Sequence, residues 1–521
     1  MKISILLWRV AAVSLLLFVF CLSVYRATVQ SVTHDEGLIY EWYLDGGVYH
    51  LLMFDPSNHV LFTFLGKFFV KLFGISELSL RAASLTGAAA FLTAAYFLCR
   101  RLFGEGILFL LSLALLCLNP QMLDFMVVAR GYILGIACLS VAMYIMVRMT
   151  DRGSFDPQNQ QWLIESSIAS VFLALSVVSN LTYIVPATAL ALSFSAVALR
   201  GHLRFAQFHG EVFRAFARCF VVPGVSAGLF LLWPFMIQLR PGQFNRSLPR
   251  ASDALRDLFE SSFLYKWTGD IYAYSLGAVA PAPGSWQDKT LDFGIYVFLP
   301  LLFLFVLLGL ILISRSPDET RRNRIAQCQV FGGAAIASVA LTVILHVFAR
   351  VNYPFARLSL YLVPLLTISV MLIGQELNLR FPRYHLKILG FFLAAAVLFD
   401  YALSLNTKYI RYNAYDLISR DLFLAISSDA HAHGLTGIRV GGTWWYEPEV
   451  NFYRRRYNAE WMKPYDVKDR SYFWESPNAL APEAYNYYVF TSANDPALFG
   501  PRVRTVFRDA DIGVTVIALD K

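Results

Sequence analysis

Residues 9–37 read RVAAVSLLLFVFCLSVYRATVQSVTHDEG, and this stretch decides the fold class. Between Arg9 and Arg26 there is no charged side chain. An apolar run close to the roughly 20 residues that cross a bilayer predicts a membrane span, placed over 8–25. Just beyond its end, Thr33-His34-Asp35-Glu36-Gly37 sets two carboxylates at the membrane surface. Acids beside an apolar span cost desolvation energy, which points to chemistry there; the competing reading is a solvated helix end. Lys2 and Arg9 ahead of the run also resemble a secretion signal, but no small-x-small cleavage site precedes Val24-Tyr25-Arg26, so the segment is read as a retained span.

The rest of the chain repeats this pattern. Its 521 residues are 57% hydrophobic and 15% charged, with a mean hydropathy of +0.52, well above a soluble protein. Charge-poor runs predict eleven spans, at 8–25, 80–99, 106–120, 131–147, 162–180, 182–199, 219–239, 293–313, 327–348, 358–375 and 386–403. No charged residue separates Ser166 from Leu199, so the turn at Ser179-Asn180-Leu181 is placed by length alone. The positive-inside rule orients the bundle: Arg100 with Arg101, Arg148 with Arg152, Arg321-Arg322 with Arg324, and Arg380, Arg383 and Lys387 fall on the side of the amino terminus. The short outer loops at 119–130 and 349–357 keep only Arg130, Arg350 and Arg357 as basic residues.

The predicted architecture is therefore a polytopic α-helical membrane protein, with a bundle of about eleven transmembrane helices over 1–403 and a C-terminal outer α/β domain over 404–521. Outer loops 26–79 and 240–292 complete the outer side. In the terminal domain, helical patterns at Tyr415–Ala432 and Glu447–Arg456 alternate with strand patterns at Gly437–Gly441, Tyr487–Thr491, Arg502–Phe507 and Gly513–Ala518. Acidic and basic residues balance there, so the formal charge of +8 lies on the membrane part and implies no nucleic acid. All six cysteines lie in or beside spans, which implies no disulfide framework. His431 and His433, two apart, fall on different faces of a helix and make a poor ligand pair.

THDEG at 33–37, then DPSNH at 55–59 leading into the amphipathic VLFTFLGKFFVKLFG at 60–74, SELSLRAASLTGAAA at 76–90 and a span closing on CRRLFG at 99–104, resembles the amino-terminal third of the GT-C glycosyltransferases. The pattern is most similar to the protein O-mannosyltransferases and the lipid A aminoarabinose transferases. Ala129-Arg130-Gly131-Tyr132 and Pro354-Phe355-Ala356-Arg357, followed by Tyr361 and Pro364, resemble further positions of it. The likeness is good over residues 1–150, moderate to about 375 and weak beyond. It implies a GT-C-like fold and a hexosyltransferase-class enzyme that takes a sugar from a polyprenyl-phosphate donor on the outer face of the membrane, with inversion. The implied location is a bacterial inner (plasma) membrane, amino terminus cytoplasmic and terminal domain periplasmic or extracellular.

Such a transfer needs a base for the acceptor proton and cations for the departing phosphate. By the resemblance, Asp35 falls on the catalytic acid position and Glu36 follows it as in the family's pair, with orientation of its neighbour or pairing to an outer arginine as the plainer role for Glu36. Arg130 and Arg357 are candidates to hold the phosphate, since guanidinium matches it bidentately; headgroup contact, or for Arg130 a pairing with Asp124, is the alternative. Tyr132 and Tyr361 are candidate hydroxyls for the donor, Asn58 and His59 candidate substrate contacts, with helix capping by Ser57 or Asn58 the plain reading. Lys67 and Lys71 share a helix face, where snorkelling to headgroups is expected.

The chain departs from the family pattern before Arg130, where Val127-Val128-Ala129 stand in place of an acid and Asp124 lies six residues away. No metal ligands are assigned: the first two outer loops hold no closely spaced acidic motif, which favours metal-independent catalysis without excluding a divalent ion. The sequence leaves the sugar open, and the acceptor open between protein, glycan and lipid. Aromatics at Tyr265-Lys266-Trp267, Tyr272-Ala273-Tyr274 and Trp444-Trp445-Tyr446 are candidate acceptor surfaces. Two other classes compete: a multispanning lipid or glycan transporter or flippase, and a scaffold on a degenerate transferase fold. Absence of an internal repeat and clustering of ionisable residues at span ends argue against the first; the intact Asp35 argues against the second.

Overall fold

The computed structural model describes residues 2–47, 57–153, 155–200, 210–236, 250–263, 285–315, 321–354, 356–465, 485–491 and 503–519. Tyr265 to Trp267, Tyr272 to Tyr274 and Asp55 lie outside these residues.

Among the described residues, ten helices are long and apolar enough to cross a membrane. Those that build the site are α1 (Lys2–Val29), α4 (Glu77–Phe103), α7 (Tyr132–Asp151) and α8 (Gln160–Ser179), with the short α2 (His34–Ile39) and α3 (Val60–Phe73) between α1 and α4. A helix suits these segments because it satisfies every backbone donor and acceptor internally where no water is present. The turn expected at 179–181 is present: α8 ends at Ser179 and the Asn180 side chain caps the next turn by accepting from Thr182 N–H.

The segment at 106–120 departs from expectation. It forms α5 (Ile107–Cys117), only 11 residues long, followed after the Asn119 cap by α6 (Pro120–Phe125). At 1.5 Å per residue α5 alone spans roughly 16 Å, short of a bilayer. Ion pairs show how far the chain travels. Arg9 at one end of α1 pairs with Glu105 ahead of α5, and Arg26 at the other end pairs with Asp124 in α6. The intervening helix is roughly 25 Å long at that rise, so 105–124 traverses the same depth as α1.

Polar contacts sort onto the two faces accordingly. Arg100 pairs with Glu105, Arg101 with Asp151, Arg148 and Arg152 with Glu165, and Arg324 with Glu376. These are residues that the charge pattern groups on the amino-terminal side. Asp35, Glu36, Arg81 and Arg130 lie with Arg26 and Asp124 on the opposite face.

The segment after residue 404 is α/β. Helices α12 (Ser419–Ala432) and α13 (Glu447–Arg456) accompany a sheet of β1 (Val440–Gly442), β2 (Tyr487–Thr491), β3 (Val503–Asp509) and β4 (Val514–Leu519) in the order β1-β2-β4-β3. For the spans preceding α12, α10 denotes Arg322–Ala349 and α11 denotes Leu362–Arg380. β1 runs parallel to β2; the other pairings are antiparallel. β4 is covered on both faces, hence its nearly continuous apolar sequence VTVIAL. One of these faces belongs to a core that continues into the segment between α1 and α4 and the start of α4, where Leu422, Phe423, Val450 and Val516 join Val32, Ile39, Tyr43, Phe62 and Leu80. The C-terminal segment is thus packed onto the elements that carry the acid pair.

Candidate functional site

Helix α2 begins with a capping box. Thr33 Oγ1 accepts from Glu36 N–H, and Glu36 Oε2 accepts from Thr33 N–H at 2.9 Å. The pattern Thr-x-x-Glu is legible in THDEG and is the local reason a helix starts there. Gly37 is required for a separate reason: a Cβ at this position would stand 2.7 Å from the Pro448 backbone, so α2 can approach α13 only without a side chain there.

Glu36 is 0% exposed, as is its partner Arg81 in the first turns of α4. Arg81 donates from Nε and Nη2 to the two Glu36 oxygens at 2.8 and 2.7 Å, and to the carbonyls of Ala27, Gln30 and Ser31. Ala129 N–H donates to Glu36 Oε1 at 2.7 Å. Burial alone would raise the Glu36 carboxyl, but the Arg81 guanidinium outweighs it and the net direction is down. Both oxygens are enclosed by protein donors. Glu36 ties the end of α1, the start of α4 and the loop before α7 into one knot, which leaves a substrate no access to it.

Asp35 points elsewhere. Its side chain is 20% exposed, and Oδ2 receives Arg130 Nη2 at 2.5 Å and Arg357 Nη1 at 2.6 Å. Burial pushes its carboxyl up, but Arg130 and then Arg357 overcome that and hold it well below the usual carboxylate range. The Arg130 loop is set by Ser84, whose hydroxyl donates to Val128 O at 2.6 Å, and by Gly131. A Cβ on Gly131 would lie 1.9 Å from Ser179 O and 2.8 Å from His59 Cβ, which explains glycine between Arg130 and Tyr132 sterically. Arg130 itself is buried, and its Nε has no partner among the described residues.

The remaining sequence candidates divide. His59 is buried at the N-terminus of α3 with its ring centroid 5.3 Å from that of Tyr132. Burial first, then Arg130 and Arg357, holds its imidazole well below its usual range, so it is neutral at pH 7. Asn58 is buried and accepts from Thr63 Oγ1 at 2.8 Å, within its own helix start. The Tyr132 carbonyl accepts from Tyr183 OH, and Tyr361 packs edge-on against Tyr183 in the core. Arg350 is exposed as a left-handed cap of α10, apart from the Asp35 cluster. Asp124 pairs with Arg26 and accepts from Arg411 N–H, so it braces α6 and does not replace an acid before Arg130. Lys67 does not snorkel: Nζ donates to the Tyr43, Gly46 and Gly47 carbonyls, capping the helical turn that follows α2. Among the described residues no group of three or more His, Cys, Asp or Glu is placed to hold a metal ion.

The C-terminal segment supplies residues that the sequence reading passed over. Asp416 Oδ2 accepts from His34 N–H at 2.7 Å, and Glu449 on α13 stands 3.6 Å from His34 Nδ1. That ring nitrogen also lies 2.7 Å from Trp445 O. The ring meets the stacked Trp444 and Trp445 edge-on. Asp416 and Glu449 are both buried side by side; burial raises both well above the carboxylate range, the Glu449 charge adds to the rise of Asp416, and the pair retains a proton. Nothing in the local sequence marks these two, since their partner His34 lies about four hundred residues away.

No protein-family model matches the chain, and no curated protein sequence does. Among solved structures, the chain is similar to ArnT from Cupriavidus metallidurans bound to undecaprenyl phosphate, at 15% identity and a TM-score of 0.47 over 98% of both chains. It is also similar to the oligosaccharyltransferase AglB from Archaeoglobus fulgidus, in complex with an inhibitory peptide and a dolichol-phosphate. That match has 14% identity and a TM-score of 0.45 over 92% of this chain and 69% of that one. At such distance the likeness carries no argument about chemistry, which rests on the site's own residues.

Proposed function

We propose that the protein is a membrane glycosyltransferase that moves a sugar from a polyprenyl-phosphate donor to an acceptor on the outer face of the membrane, with inversion. The observation that carries this reading is the convergence of Arg130 and Arg357, from the loops ahead of two distant spans, on one oxygen of the part-exposed Asp35. Two guanidinium groups supply the planar donors a phosphate needs, and the carboxylate beside them is the one acid of THDEG open to substrate.

In the proposed reaction the acceptor hydroxyl attacks the anomeric carbon opposite the phosphate. Its proton passes to Asp35, and the anomeric C–O bond breaks with its electron pair going to the phosphate. Arg130 and Arg357 stabilise the charge that collects on the leaving lipid phosphate. Neutral His59, beside both arginines, can donate to a phosphate or sugar oxygen. Glu36 is assigned to positioning, through Arg81 and Ala129 N–H. Tyr132 backs His59, and Tyr361 lines the core beneath.

The test is release of undecaprenyl phosphate from a panel of undecaprenyl-phosphate hexoses by the purified protein, with Asp35→Asn as control. Release by wild type and none by Asp35→Asn supports the reading. Lipid movement across a vesicle bilayer without release supports a flippase instead. Mass spectrometry of glycans and lipids from cells lacking the gene identifies the acceptor.

A further inference from the structure

We propose that Asp35 is a built-in counter-ion standing where the lipid phosphate binds, and that arrival of a phosphorylated polyprenyl lipid displaces it from Arg130 and Arg357 and so frees it for the acceptor. This rests on the proposed donor site and assigns its regulation.

Three features of the geometry support it. Both guanidinium groups reach the same oxygen, Oδ2, through one nitrogen each, so two cations share a single carboxylate oxygen. Arg130 Nε adds a buried donor without a partner among the described residues, a cost that the non-bridging oxygens of a bound phosphate remove. Among the described ion pairs of this cluster, two cations face one carboxylate, a net +1 on side chains only 7% and 19% exposed, with His59 neutral beside them.

That surplus matches the donor. A polyprenyl-phosphate sugar is a phosphodiester with one negative charge, so its arrival brings the cluster to zero. During transfer the acceptor proton neutralises Asp35 while the released phosphomonoester gains up to one further charge. Two guanidinium groups then face a phosphate of about −2, and the cluster stays close to neutral throughout. A carboxylate gripped by two arginines is a poor base. The same carboxylate regains basicity once the phosphate takes the guanidinium donors, so proton abstraction becomes conditional on a bound donor.

The experiment measures undecaprenyl phosphate binding to the purified full-length protein in lipid nanodiscs, with undecaprenol as the phosphate-free control. Asp35→Asn and Asp35→Ala remove the counter-ion; either suffices if the other does not fold. Both are expected to bind undecaprenyl phosphate about tenfold more tightly than wild type, or about 1.4 kcal/mol, with undecaprenol binding unchanged. Arg130→Ala is expected to bind it about tenfold more weakly. If the Asp35 variants bind no tighter while Arg130→Ala weakens binding, the counter-ion proposal is overturned and the donor site stands. If Arg130→Ala also leaves affinity unchanged, the donor site itself falls.

Discussion

Removing one partner of the Glu36–Arg81 pair tests whether the second acid of THDEG is architectural. In Arg81→Met the buried Glu36 carboxylate keeps only the Thr33 and Ala129 N–H donors, and the carbonyls of Ala27, Gln30 and Ser31 lose theirs. Breaking a buried ion pair from one side costs about 3–5 kcal/mol, and Glu36→Gln, which strands the Arg81 charge, belongs in the same range. In the double variant neither charge is stranded, so the loss should fall short of the sum by about 0.5–3 kcal/mol. Equilibrium unfolding of the three purified variants in mixed micelles gives the cycle, with undecaprenyl phosphate release measured in parallel. Additive losses would refute the coupling. Wild-type stability in Glu36→Gln together with lost turnover would show that Glu36 acts on substrate, against its enclosure.

Gly131→Ala should lower undecaprenyl phosphate affinity at least about tenfold, because a Cβ 1.9 Å from Ser179 O must push the Arg130 loop away; retained affinity, read by the same binding assay, would show that the loop yields. For the Asp416–Glu449 pair the folded state binds a proton that the unfolded chain releases near the ordinary carboxyl value of about 4. Stability is therefore greatest below that value and falls as pH rises toward the raised folded value. Thermal unfolding across pH should show this decline in wild type, and Glu449→Gln should flatten it; an unchanged slope would place the retained proton elsewhere. The charge pattern predicts that a reporter fluorescent only in the cytosol stays dark when fused after Lys521, and a bright fusion would reverse the faces of the bundle.

Much of the architecture was legible in the chain itself. Span positions follow from apolar runs, because transfer of a helix into lipid depends on local composition and length. The turn at 179–181 appears as expected, and Glu447–Arg456 and Tyr487–Thr491 match their predicted ranges. The start of α2 is also written locally, as the Thr-x-x-Glu capping box.

Tertiary structure decided the rest. Sequence could rank Asp35 above Glu36 only by analogy; burial separates them, since Glu36 is sealed against Arg81 and Asp35 faces two arginines. Asp124, set six residues from Arg130, invites comparison with a missing acid until its pairing with Arg26 is seen. The pair Arg357–Asp35 joins residues 322 apart, and His34–Asp416 residues 382 apart. Periodicity and composition sum free energies along the chain and so fix which segments enter the bilayer. A buried charge is stabilised by whichever partner the packing brings within about 3 Å, and that partner has no signature in the residues on either side of it.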